Sequence, residues 1–379
     1  MRPENHWIRL YFNRSLNYQE IIEMLAEDHD ILISKRTLKR RLKKMCLSRR
    51  KRHSDELEVA AFIESQLQTS GMLHGYRWMH IRCTQNGLNI DKETVRIILN
   101  LLDPEGVEAR RRRRLHRRIY HVPGPNYIWH IDSYDKLKPY GICINGCIDG
   151  YSRHIIWLEA YFTSSNPKVI AGYYVNSVRQ KMGCPKSIRT DFGTENSIVG
   201  PMQQFLCNEN SSFIQGTSQH NQRIESWWGI LRKHFTQCWM DVFKQQKNDG
   251  RYDGGLIDKS LLQFCFMKII QDELDTVANE WNAHRISKSR NSHGPFGRPT
   301  LMYNVPYLFG GQECIIPVDV AKVEVCESES IFKSQIPCDK DVFDLCSIFL
   351  EEKQLSMPKT CDEGLQLYSS LRNMFLDVI

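Results

Sequence analysis

The 379-residue sequence predicts an α/β chain, a mixed five-stranded sheet flanked by helices and preceded by all-α helix-turn-helix units. Three observations carry this prediction. Capped segments of helical periodicity fill the chain up to Leu102. From Tyr127 the pattern changes to short strand-like runs at 127–134, 141–149 and 153–161, with turns at Pro139–Gly141 and Asp149–Ser152. Strands at 186–190 and 212–215 then alternate with helices near 167–182 and 198–207, and a long helix runs from His220 past Trp239. Hairpin-linked strands followed by helix-linked strands make a mixed sheet in an α/β layer.

Residues 1–52 read as a first helix-turn-helix unit. Asn17 is an N-cap with Glu20 three residues on, followed by Ile21, Ile22 and Leu25. After a break at Asp28–Ile33, Ser34 caps a helix with Leu38, Leu42 and Met45 on one face. The remaining faces carry Lys35, Arg36, Lys39, Arg40, Arg41, Lys43 and Lys44. A helix, a short break and a basic helix are the arrangement whose second helix enters the major groove, so Arg36, Lys39 and Arg40 are candidate DNA contacts.

Residues 53–120 read as a second helical unit ending in an Arg-rich linker, either a winged-helix-like helix-turn-helix or a spacer of packed helices. Ser54 is its first expected cap and Asp91 its last, with Val95, Ile98, Leu99 and Leu102 inward and Arg96 outward as a further DNA contact. The run 110–118 holds Arg111, Arg112 and Arg113 and is too dense in like charge to pack in a core. It reads as a phosphate contact, a nuclear localisation signal, or both. Residues 121–300 form the predicted core with a helical extension at about 259–283, between polar stretches at 244–258 and 286–300. The region 301–379 has strand-like and then helical pieces and no legible chemistry.

Charge is distributed unevenly. Residues 1–120 hold 25 Lys/Arg against 15 Asp/Glu, whereas residues 312–379 hold 6 against 13. A basic front points to a polyanion partner, and an acidic tail is expected to pack, to self-inhibit or to bind a partner. No apolar stretch is long enough to span a membrane, and the N-terminus has no apolar signal core, so neither a membrane nor secretion is expected. The 13 cysteines include no CxxC pair and no zinc-finger spacing, which predicts reduced, mostly buried thiols.

Three acids stand at the ends of predicted elements: Asp132 on the first strand, Asp191 after the fourth, and Glu225 on the first turns of the long helix. A carboxylate among strand apolars is costly unless paired or bound to metal. Hard oxygen donors suit Mg²⁺ or Mn²⁺, and two such ions about 3.5–4 Å apart activate an attacking oxygen and stabilise a leaving one in phosphoryl transfer. Alone, each acid would read as a cap or a surface ion pair. Their order carries the assignment of Asp132, Asp191 and Glu225 as catalytic, metal-holding residues. Asp135, Asp149 and Glu195 lie close by in sequence and read as structural.

The block from Trp129 to Trp239 resembles the catalytic core of retroviral integrases and of DDE transposases with a ribonuclease-H-like fold. The resemblance rests on Thr190-Asp191-Phe192-Gly193 and on Asn221 to Glu225, with 58 residues between Asp132 and Asp191 and 33 between Asp191 and Glu225. The front of the chain is similar to insertion-sequence transposases, so the resemblance spans roughly residues 8–300. A retroviral zinc-binding His/Cys set is missing, which favours a DNA-transposon origin. The resemblance implies a nuclear polynucleotidyl transferase that uses two Mg²⁺ or Mn²⁺ ions, takes element ends and target DNA as partners, and acts as a homo-oligomer. Arg232, two turns past Glu225, is a candidate phosphate contact, with Arg223 and Lys233 weaker ones. Of Trp227 and Trp228, one is expected in the core and the other free to stack on a base. Two other readings stand beside this one: a domesticated DNA-binding protein whose catalysis is unused, and a nuclease acting on RNA–DNA hybrids.

Overall fold

The computed structural model describes residues 3–14, 16–48, 53–111, 122–288 and 294–378. The N-terminal unit comprises α1 (Pro3–Asn13), α2 (Tyr18–His29) and α3 (Lys35–Lys44). Asn17 accepts from the backbone N–H groups of Gln19 and Glu20, and the Glu20 carboxylate accepts from the Asn17 N–H in return. Ser34 accepts from Thr37 N–H and starts α3. Ile8, Tyr11, Ile21, Met24, Leu25, Leu38 and Leu42 close the small core, which also takes in Leu301 and Val305 from the far end of the chain.

The second unit comprises α4 (Glu56–Leu67), α5 (Tyr76–Gln85), α6 (Lys92–Leu102) and α7 (Pro104–Arg111). Among its described residues it is helical, and the positions around Gly71 and Gly75 form a 3₁₀ turn leading into α5. Asp91 caps α6 as expected. Ser54 does not cap α4; its hydroxyl accepts from the Asn89 N–H at 2.9 Å and ties the start of α4 to the loop before α6.

The core holds a five-stranded sheet in the order β3-β2-β1-β5-β6. Its strands are β1 (Ile128–Tyr134), β2 (Cys143–Asp149), β3 (Ile155–Tyr161), β5 (Ser187–Thr190) and β6 (Phe213–Gln215). The first three pair antiparallel, while β5 lies parallel to β1 and β6 parallel to β5. A separate ribbon pairs β4 (Gly183–Cys184) with β7 (Ile316–Pro317). One sheet face buries Trp129, Ile131 and Cys147 against α8 (Pro167–Lys181) and α9 (Val199–Cys207). The opposite face, with Tyr134, Ile144 and Ile148, packs on α10 (Gln222–Leu231), α11 (Gln237–Asn248) and α12 (Leu256–Ala283). The period-2 alternation of β1 therefore turns His130, Asp132 and Tyr134 toward α10.

Two boundaries differ from the sequence expectation. The stretch 244–258 is not loop throughout, because α11 continues to Asn248 with Phe243 and Gln246 buried. The long helix also has a π-helical turn, Arg232–Thr236, joining α10 to α11.

The C-terminal region belongs to the same body. It adds α13 (Pro299–Asn304), α14 (Val320–Ser328), α15 (Lys340–Glu352) and α16 (Cys361–Val378). Cys346, Leu367, Tyr368, Leu371 and Phe375 enter the core beside Phe264 and Phe266 of α12. Arg372 binds Asp258 at 2.8 Å, and Glu327 of α14 pairs with Arg179 of α8. Of the three roles expected of the acidic tail, packing is the one visible.

All 13 cysteines are free, and eight of them are buried. Among the described residues, no helix is long and apolar enough to cross a membrane.

Candidate active site

Asp132 sits on β1 with Gly146 of β2 as its ladder partner. It is 9% exposed. Its Oδ1 accepts from the Ser133 N–H and its Oδ2 from the Trp228 indole N–H, both at 2.8 Å. Burial pushes its carboxyl up to about 7, and the negative charges of Asp191 and Glu225 add to the rise, while the indole bond opposes it. Two carboxylates from distant parts of the sequence thus act on Asp132 across space.

Asp191 is reached through β5, which runs parallel to β1 and so delivers the residue after Thr190 to the same sheet end. Its Oδ1 accepts from the Gly193 N–H at 3.3 Å. Glu225 lies on the exposed side of the first turns of α10, because Ile224, Trp227, Trp228 and Leu231 take the inner side. Partial desolvation raises its pKa, and the Asp191 charge raises it further.

The start of α10 is fixed to β1 by Asn221. Its side chain donates to the Ile131 carbonyl at 3.0 Å and accepts from His130 Nδ1 at 2.7 Å. Burial drives His130 down to about 3, so the ring is neutral and serves as a fixed donor. This anchor ties the first turn of α10, which carries Glu225, to β1.

A fourth carboxylate enters the same field. Glu195, read from sequence as structural, is half-buried, and its pKa is raised by burial and then by Asp191 and Asp135. The signal was present in Asp191-Phe192-Gly193-Thr194-Glu195. Asp149 is structural as expected: it accepts from the N–H groups of Asn126, Tyr151 and Ser152 and from the Ser152 hydroxyl. Asp135 binds Ser164 and Lys138.

The donor set is all carboxylate, the chemistry that Mg²⁺ and Mn²⁺ prefer. No three His, Cys, Asp or Glu side chains among the described residues converge on a common ligand point. One oxygen of Asp132 is engaged by the indole. A divalent cation would offset the mutual repulsion that raises Asp132 and Glu225.

The basic candidates divide. Arg36, Lys39 and Arg40 are exposed on α3. Arg96 is exposed on α6 but paired with Glu93. Arg111 ends α7, and Arg112 and Arg113 lie outside the described residues. Arg232 is exposed at the π turn, bonded to Gln237, and its charge reaches Tyr134 beside the acids. Lys233 is exposed on the same turn. Arg223 donates to the Gly150 carbonyl at 2.9 Å and lines a cavity of about 970 Å³ that includes none of the three acids. Neither tryptophan is free to stack on a base: Trp227 is 1% and Trp228 5% exposed, because both face the sheet and α12 rather than the solvent side of α10.

No curated protein matches the chain. Residues 119–297, a little under half of the sequence, match a family model described as integrase core domain. The matched segment contains the whole five-stranded sheet and the three acids, in the ribonuclease-H-like arrangement of antiparallel and parallel strands. The chain therefore carries an integrase/transposase-type catalytic core domain over residues 119–297.

Proposed function

We propose that the protein is a DNA transposase or integrase whose catalytic residues are Asp132, Asp191 and Glu225. The observation that supports this best is the raised carboxyl of Asp132, which feels both other acids although they come from a later strand end and a later helix. Bound at these carboxylates, two Mg²⁺ or Mn²⁺ ions would supply Lewis-acid stabilisation of the attacking and leaving oxygens. The chain's own part is to hold the three carboxylates on separate rigid elements. Ser133 N–H and Trp228 orient Asp132, the Gly193 N–H orients Asp191, and the Asn221 anchor fixes the helix of Glu225. The DNA partners proposed are element ends and target DNA. The exposed basic face of α3 suits a duplex major groove, and Arg232 suits a phosphate near the acids. The Arg-rich run 110–118 supports a nuclear location, and action on paired ends calls for a homo-oligomer.

One observation favours a second reading, a domesticated nucleic-acid-binding protein. Trp228 occupies an oxygen of Asp132 that metal binding would use, and the acids do not converge. A strand-transfer assay with a labelled element-end duplex in Mg²⁺ or Mn²⁺ separates the two. Joined products from the wild type but not from Asp191→Asn support the enzyme. Equal products from both would sink it, and duplex binding with no products from either selects the second reading.

A further inference from the structure

We propose that Cys184 and Cys207 form a redox-active dithiol that closes to a disulfide and clamps the segment carrying Asp191. The two residues lie 23 positions apart in sequence, so no CxxC motif announces them. Cys184 is buried in β4 and Cys207 is half-buried at the last position of α9. Their sulfurs stand 3.4 Å apart. A disulfide needs about 2.05 Å, a gap that small side-chain rotations can close.

The surroundings give the two thiols different roles. Gln203 Nε2 lies 2.9 Å from the Cys207 sulfur. The Lys322 ammonium is held close by, on the Phe205 carbonyl and the Asn208 side chain. Cys184 is fully buried, whereas Cys207 is only partly so. Cys207 is thus the accessible nucleophile and Cys184 the buried resolving thiol.

The oxidant required is a low-molecular-weight disulfide such as oxidised glutathione. The Cys207 thiolate attacks one of its sulfurs, forming a mixed disulfide and releasing one small thiol. Cys184 then attacks the Cys207 sulfur, its proton passing to the second small thiol as that leaves. Two protein thiols are oxidised and one small disulfide is reduced to two thiols. The new bond joins the root of β5 to the end of α9, and the closed loop contains Asp191 and Glu195. In reducing compartments, disulfides of this kind are sensing devices rather than permanent staples.

The test uses the full chain in glutathione buffers of graded ratio, quenched, alkylated and peptide-mapped. The expected product is a Cys184–Cys207 cross-linked peptide lacking two hydrogen atoms, formed before the other eleven thiols react. Amide exchange over residues 187–206 is expected to slow in the oxidised form. Cys184→Ser should convert Cys207 into a lasting glutathione adduct, several-fold above wild type, and Cys207→Ser should leave Cys184 unmodified. If Cys184→Ser loses its circular dichroism, Cys184→Ala takes its place. Full alkylation of both thiols across the buffer range, a link from either one to Cys326, or no adduct in the Cys184 variant overturns the proposal. Each of these readouts is independent of strand transfer.

Discussion

The indole of Trp228 donates to Oδ2 of Asp132 at 2.8 Å while lying over Gly146, the ladder partner of that same aspartate. A Cβ at position 146 would meet the indole ring at 2.8 Å, so the absence of a side chain on β2 is what lets α10 come close enough for the bond. The bond favours the ionised carboxylate in a place where burial and two neighbouring charges disfavour it.

Replacing Trp228 with Phe keeps most of the packing and removes the donor. The expected loss is about 1.5–3 kcal/mol where Asp132 is ionised, since the bond is to a charged group. With the Asp132 carboxyl pushed up to about 7, the loss should be larger at pH 8 than at pH 5. Urea unfolding of both proteins at the two pH values measures it. A loss that does not change with pH would show that the indole does not act on the charge.

The seam between the second helical unit and the core gives a pH prediction. Trp78 stacks on His234 with ring centroids 4.5 Å apart, and His74 Nε2 donates to the His234 carbonyl at 2.8 Å inside the π turn. Burial first, then the charges of His284, Lys233, Arg110 and Arg82, hold His234 down at about 3. The unfolded chain therefore binds a proton that the folded one does not between the ordinary histidine pKa of about 6.5 and 3, and stability is lost as pH falls through that window. For His234 alone the loss is bounded at about 5 kcal/mol by the shift. Urea midpoints at pH 7 and pH 4 should fall less for His234→Asn than for the wild type; equal falls would exonerate this residue.

The same seam contains a buried ion pair. Arg82 binds Glu280 at 3.0 Å with side chains 8% and 1% exposed, and Trp78 donates to the same carboxylate. Breaking it with Glu280→Gln or Arg82→Met should cost about 3–5 kcal/mol, because one partner is left buried and uncompensated. The double change Arg82→Met with Glu280→Leu should recover most of that loss. A double-mutant cycle by urea unfolding reads the coupling, and strictly additive losses would contradict it.

How much of this was legible in the sequence follows from what sequence encodes locally. Asn17, Ser34 and Asp91 announced their helices because a cap is satisfied by atoms two or three residues away. Asp132 was legible as an acid in an apolar strand, and the strand order brought Asp191 beside it. The indole bond was not, since Trp228 reads as an apolar position on a helix and its partner is 96 residues away. Glu280 and Arg82 look like ordinary surface charges until α12 and α5 are seen packed together. The tail was opaque for a similar reason. α15 and α16 are amphipathic helices, and the face they cover on α12 cannot be named before α12 is known to be the core's outer layer.

Arg36, Lys39 and Arg40, three of the exposed cations of α3, and the paired Arg96 make contrasting predictions for DNA binding. Each phosphate contact contributes about −0.9 to the slope of log affinity against log salt. Lys39→Gln and Arg40→Gln should each weaken duplex binding at all sequences and flatten that slope by about 1, as phosphate contacts do. A change at Arg36 that instead relaxes discrimination between duplexes would mark a base contact. Arg96 is already engaged by Glu93, so Arg96→Gln should leave the slope unchanged. Fluorescence anisotropy with a labelled duplex over a salt series measures all four. If Lys39 and Arg40 variants keep the wild-type slope, α3 is a solvated basic helix and DNA must be held elsewhere.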